Sequence, residues 1–130
     1  MAQTQSDIQK LYIAYFNRPA DRDGLAYWTT GEGSKMSLKQ IADSFAAQTE
    51  YSTVYAGLTN KQVINTLYLN MFGHNADLPG LDYWAGQLTS GATSLGQIAL
   101  FIMNGATGPD ADAIASKATA AASFTTAIDS

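Results

Sequence analysis

The sequence predicts an all-α fold, a compact helical domain of about six to seven helices containing a three-helix motif that occurs twice. Three observations carry this expectation. The chain matches itself at a nearly constant offset, apolar residues recur at helical spacing in both copies, and helix-starting and helix-ending residues stand at the same places in each.

Leu11, Tyr12, Phe16, Ala20, Asp21, Gly24, Leu25, Tyr27 and Trp28 recur 56 positions later as Leu67, Tyr68, Phe72, Ala76, Asp77, Gly80, Leu81, Tyr83 and Trp84. Ser37, Leu38, Gln40, Ile41 and Ala42 recur 57 positions later as Ser94, Leu95, Gln97, Ile98 and Ala99, so the second copy has gained one loop residue. Agreement over so many positions marks a duplication. The copies span about residues 6–50 and 60–104 of a single domain, and an Ala-rich helix is expected over about 109–129.

The first helix of each copy is read from Ile8, Leu11, Tyr12, Tyr15 and Phe16, and from Ile64, Leu67, Tyr68, Met71 and Phe72, which form one apolar stripe at i, i+3, i+4, i+7 and i+8. Asn17 and Gly73 follow, the residue types that best tolerate the left-handed backbone ending a helix. Asp21 and Asp77 are then placed to cap a second helix, with Leu25 and Trp28, or Leu81 and Trp84, on one face. Gly31-Glu32-Gly33 reads as a loop. Ser37-x-x-Gln40 and Ser94-x-x-Gln97 read as capping boxes opening a third helix, whose stripe is Leu38, Ile41, Ala42 and Phe45 in one copy and Leu95, Ile98, Ala99 and Ile102 in the other. The linker around 56–60 is short enough that the copies should share a core. Gly108-Pro109 suits the start of the last helix, and Ile114, Ala121, Phe124 and Ile128 are its expected apolar positions.

Composition narrows the function classes. Hydrophobic residues make up 46% of the 130 positions and charged ones 14%, which is a globular composition. A net charge of -4 with no basic cluster argues against nucleic acid and anionic membranes as partners. The absence of cysteine excludes disulfides, thiolate metal sites and cysteine nucleophiles. No stretch is long and apolar enough for a transmembrane helix, and residues 1–10 have no signal-peptide core, so the chain is expected to be soluble and any export to use another signal.

The segments LYIAYFNRPADRDGLAYW and LYLNMFGHNADLPGLDYW resemble the signature of a bacterial domain family of unknown function, DUF4214, over roughly residues 8–105. The tail IASKATAAASFTTAID is similar to segments that follow such domains in surface-layer and repeats-in-toxin type proteins. The resemblance implies a helical domain related in shape to phycobilisome linkers, located at the end of a large protein exported by a type I system with a C-terminal signal. It further implies an extracellular, cell-surface location, where the N-terminal domains of surface-layer (S-layer) proteins attach the lattice to outer-membrane lipopolysaccharide, often with calcium.

Candidate ligand-binding residues are Asn17, Arg18, Asp21, Asp23 and Tyr27 in the first copy and His74, Asn75, Asp77 and Tyr83 in the second. Amides and carboxylates can hold calcium or sugar hydroxyls, but helix capping is the stronger reading for Asp21 and Asp77. The EF-hand pattern fails, since aligning Gly24 with its glycine puts Pro19 and Thr30 at the end ligands. Trp28, Trp84, Tyr27 and Tyr83 could stack on sugar rings, with core packing the stronger reading for the tryptophans and surface hydroxyls expected for the tyrosines. Arg18 is replaced by His74 and Asp23 by Pro79, which makes the first loop the better candidate for an anionic or metal-bridged glycan, or else reflects loop drift.

No catalytic motif is present, and His74 is the only histidine, so an enzyme is not expected. No cofactor is required, and calcium is the one ion the resemblance suggests. The expected function is non-enzymatic attachment to lipopolysaccharide or another surface glycan. The alternatives are a protein–protein module for self-assembly of a surface lattice and a passive spacer.

Overall fold

The computed structural model describes residues 4–128, with side chains described through Thr125. The side chain of Ile128 and position 129 of the expected last helix lie outside the described residues. Among the described residues the architecture is all-helical, with α1 (Gln5–Phe16), α2 (Arg22–Thr29), a 3-10 turn (Glu32–Lys35), α3 (Leu38–Phe45), α4 (Thr49–Tyr55), α5 (Asn60–Phe72), α6 (Leu78–Ser90), α7 (Leu95–Gly105) and α8 (Gly108–Ile128). These eight helices exceed the six to seven expected.

The extra helix is α4. Its seven residues are mostly polar and its N-cap, Gln48, makes no side-chain hydrogen bond, so it carries no local start signal. Tertiary contacts hold it instead. The Tyr51 ring meets the Tyr15 ring of α1 edge-on, with centroids 6.1 Å apart, and the Tyr55 hydroxyl donates to the Tyr15 carbonyl.

Other ends follow the local chemistry. Asn17 (φ 53°) and Gly73 (φ 78°) close α1 and α5 in the left-handed conformation. Asp21 and Asp77 cap α2 and α6 by accepting from the Gly24 and Gly80 amides. Ser37 and Gln40 form the expected capping box. Ser94 makes only half of one: its hydroxyl accepts from the Gln97 amide, and it also donates to Asp43 Oδ1, 2.7 Å away on α3. Thr59 and Gln62 form a capping box that opens α5. The segment 31–33, expected to be a loop, instead opens the 3-10 turn with Gly31 as its N-cap, and Gly33 lies against the Tyr27 and Trp28 rings so closely that a Cβ would overlap them.

Equivalent helices of the two copies face each other, α1 against α5 and α3 against α7, while α8 lies along α1 and α5. Asn70 Nδ2 donates to the Ala14 carbonyl at 2.9 Å, joining two positions that are themselves equivalent in the repeat. Ile8, Leu11, Tyr15, Phe45, Ile64, Leu67, Met71 and Ile98 are fully buried in one continuous core. The α1 stripe proves too narrow, since Gln9, Ile13 and Ala14 are buried as well. This helix lies in the middle of the bundle, with neighbours on several sides.

Buried polar groups are paired. Gln9 Nε2 donates to Thr125 Oγ1 at 3.0 Å, Thr125 in turn donates to the Ala20 carbonyl, and the Ala20 amide donates to Gln9 Oε1. The last bond recurs in the second copy, where the Ala76 amide donates to Asn65 Oδ1 at 2.8 Å. Among the described side chains of α8 the buried positions are Ile114, Ala118, Ala121 and Thr125, whereas the expected Phe124 is 55% exposed. At 100° per residue Phe124 lies about 80° from Ile114 around the helix, at the edge of the buried face.

Candidate functional site

Each copy builds the same aromatic corner from its first two helices. The Trp28 indole adjoins the Tyr12 hydroxyl, and the Trp84 indole adjoins that of Tyr68. Burial raises both tyrosine pKa values, and the neighbouring indoles oppose that shift. A Cβ at Gly24 would overlap the Tyr12 hydroxyl, so α2 can approach α1 this closely only because that position has no side chain.

The third helix then distinguishes the copies. In the first, Phe45 fills the corner, with ring centroids 5.0 Å from Tyr12, 5.8 Å from Phe16 and 5.6 Å from Trp28. Arg18 covers it from outside, 5.0 Å above the Tyr12 ring and 5.7 Å above Phe16. Its guanidinium is held by both carboxylate oxygens of Glu50, at 2.9 and 2.6 Å, and by the Pro19 carbonyl at 2.9 Å.

In the second copy Ile102 stands in the place of Phe45 and His74 in that of Arg18. A branched aliphatic chain is smaller than a phenyl ring, and a hollow of about 280 Å³ lies over the corner. Tyr68, Phe72, Trp84 and Phe101 supply aromatic walls, and His74, Asp77 and Asp110 supply polar groups. Trp84 and Phe101 run nearly parallel, with centroids 5.8 Å apart and planes inclined by 16°. No lysine or arginine lines the hollow.

His74 fixes one side of the rim. Its Nδ1 is 2.8 Å from the Asn75 carbonyl and its Nε2 is 2.7 Å from Asp110 Oδ1 at the start of α8. Both partners are acceptors, so the doubly protonated ring satisfies both bonds. Its pKa is raised above the ordinary histidine value, first by the Asn75 carbonyl and then by Asp110. The ring also stacks on Phe72, with centroids 6.0 Å apart.

The nine expected site residues therefore serve different roles. Asn17 is the left-handed stop of α1, Arg18 is bound to Glu50, and Asp21 caps α2. Asp23 lies exposed in the first turn of α2. Tyr27 and Tyr83 are 47% and 58% exposed and meet their neighbouring tryptophans edge-on. Asn75 accepts from Asn65 Nδ2 at 2.8 Å. Of the nine, only His74 and Asp77 line the hollow. The tryptophans diverge, Trp28 being 7% exposed in the core and Trp84 half-buried in the wall.

Sequence reasoning missed Tyr68, Phe72, Phe101 and Asp110 as members of one site. The available signal was the pair Phe45 and Ile102, because a large-to-small exchange between repeats opens space. Among the described residues no group of three His, Asp or Glu side chains is placed to hold a metal ion, and no helix is long and apolar enough to cross a membrane.

A family model described as Domain of unknown function (DUF4214) matches residues 42–106, half of the chain, from within α3 to just beyond the end of α7. That span includes the whole second copy and most of the residues around the hollow. No curated protein and no solved structure matches the chain. With half of its length covered by that model, including the copy that carries the hollow, the chain belongs to the DUF4214 family.

Proposed function

We propose that this domain is a non-enzymatic attachment module of an S-layer or related type I exported protein, holding it to lipopolysaccharide or another polysaccharide at the bacterial surface. The hollow over α5, α6 and α7 carries the reading. Aromatic walls suit the C–H faces of a sugar ring, and polar groups at the rim suit its hydroxyls. At about 280 Å³ it lies near the lower end of ligand pockets, roughly 300–1,000 Å³, which fits one residue of a longer chain. Extracellular localisation and the duplicated, phycobilisome-linker-like arrangement belong to the same reading, supported by family membership and by the facing of equivalent helices.

The reading favours the second copy over the first, because Phe45 and the Arg18–Glu50 pair occupy the equivalent corner there. No cofactor is required for such binding. The test is calorimetry of the domain with lipopolysaccharide from the parent bacterium, with added calcium and with chelator. Saturable binding in both conditions supports a direct sugar site, loss in chelator assigns a calcium-bridged one, and no heat in either condition refutes attachment.

Lattice self-assembly is the second reading, favoured by apolar side chains left at the surface, with Leu78 73% and Phe124 55% exposed. Concentration-dependent sedimentation without glycan affinity would support it.

A further inference from the structure

Resting on the attachment reading, we infer that the hollow selects an uncharged sugar residue and disfavours phosphorylated or uronic ones. The argument is electrostatic. Two carboxylates, Asp77 and Asp110, line the hollow, while no lysine or arginine does. The single basic group there, His74, is already bound to Asp110. An anionic sugar would therefore meet negative charge with no free cation to offset it.

The carboxylates are also positioned to accept. Asp110 Oδ1 takes the His74 bond and Asp77 Oδ2 the Gly80 amide at 3.4 Å, and each group retains further lone pairs for a sugar hydroxyl. An uncharged pyranose offers those hydroxyl donors together with an apolar face for Trp84 and Phe101. The overall charge of -4 acts in the same direction.

The test uses surface polysaccharide of the parent bacterium, separated by anion exchange into uncharged and acidic chains. Each fraction is titrated into the isotope-labelled domain while the Trp84 indole N–H is followed by NMR. The uncharged fraction should shift that signal at concentrations about tenfold lower than the acidic one, a difference of ~1.4 kcal/mol. The double variant Asp77→Asn, Asp110→Asn keeps the cap, since Asn caps as well as Asp, and should narrow the gap by admitting the acidic chains. Equal or tighter binding of the acidic fraction overturns the inference but leaves attachment standing. Binding of the uncharged fraction that leaves Trp84 unmoved overturns the site. No binding of either fraction overturns attachment and this inference together.

Discussion

Phe45 and Ile102 hold the same place in the two copies, and the difference in their size separates a filled aromatic corner from an open one. Ile102→Phe should accordingly be accommodated, because the added ring can enter the hollow. Urea denaturation should give a stability within about 1 kcal/mol of the parent, against the ~1–3 kcal/mol expected for overpacking a dense core. Phe45→Ala in the filled corner should cost roughly 3–5 kcal/mol.

Thr125→Val should destabilise by about 1–3 kcal/mol, since it leaves the buried Gln9 amide and the Ala20 carbonyl without their partner. Phe124→Ser, one position away but exposed, should stay within ~0.5 kcal/mol. Equal effects of the two in denaturant melts would mean that α8 docks on a different face.

The raised pKa of His74 gives a signed pH dependence. Its contribution to stability is fully present below the ordinary histidine value of 6.5 and is lost as pH rises through the higher folded value. NMR titration of the ring should give a midpoint above 6.5, and Asp110→Asn should lower it while the Asn75 bond keeps part of the shift. An unchanged midpoint in the variant would remove Asp110 as a cause.

Replacing Asp21 by Ala should cost about 1 kcal/mol in thermal or urea unfolding, while Asn should cost little, because the side-chain oxygen rather than the charge closes the first turn of α2. A large loss with Asn would instead indicate that the carboxylate has a charged partner.

What was legible in the sequence was local. Asn17, Gly73, Asp21, Asp77 and the Ser37–Gln40 box declare helix ends within a few residues of themselves, and the stripes of α3 and α7 declare their buried faces. What was not legible depends on residues distant in the chain. Ser94 donates to Asp43, which arrives from α3, and α4 is tied to α1 by the Tyr55 hydroxyl on the Tyr15 carbonyl. His74 and Asp110 meet across 36 residues of sequence, so no motif could have joined them. Phe124 shows the limit of reading a stripe from apolar type alone, for the buried position beside it is a threonine satisfied by Gln9.

Parallel calorimetric titration of lipopolysaccharide from the parent bacterium into the wild-type domain and Ile102→Phe tests the central claim most directly. The account predicts saturable binding by the wild type and its loss in an equally stable Ile102→Phe, whose added ring occupies the hollow. Undiminished binding by that variant would contradict it, placing the glycan elsewhere on the domain, and no binding by the wild type would contradict attachment itself.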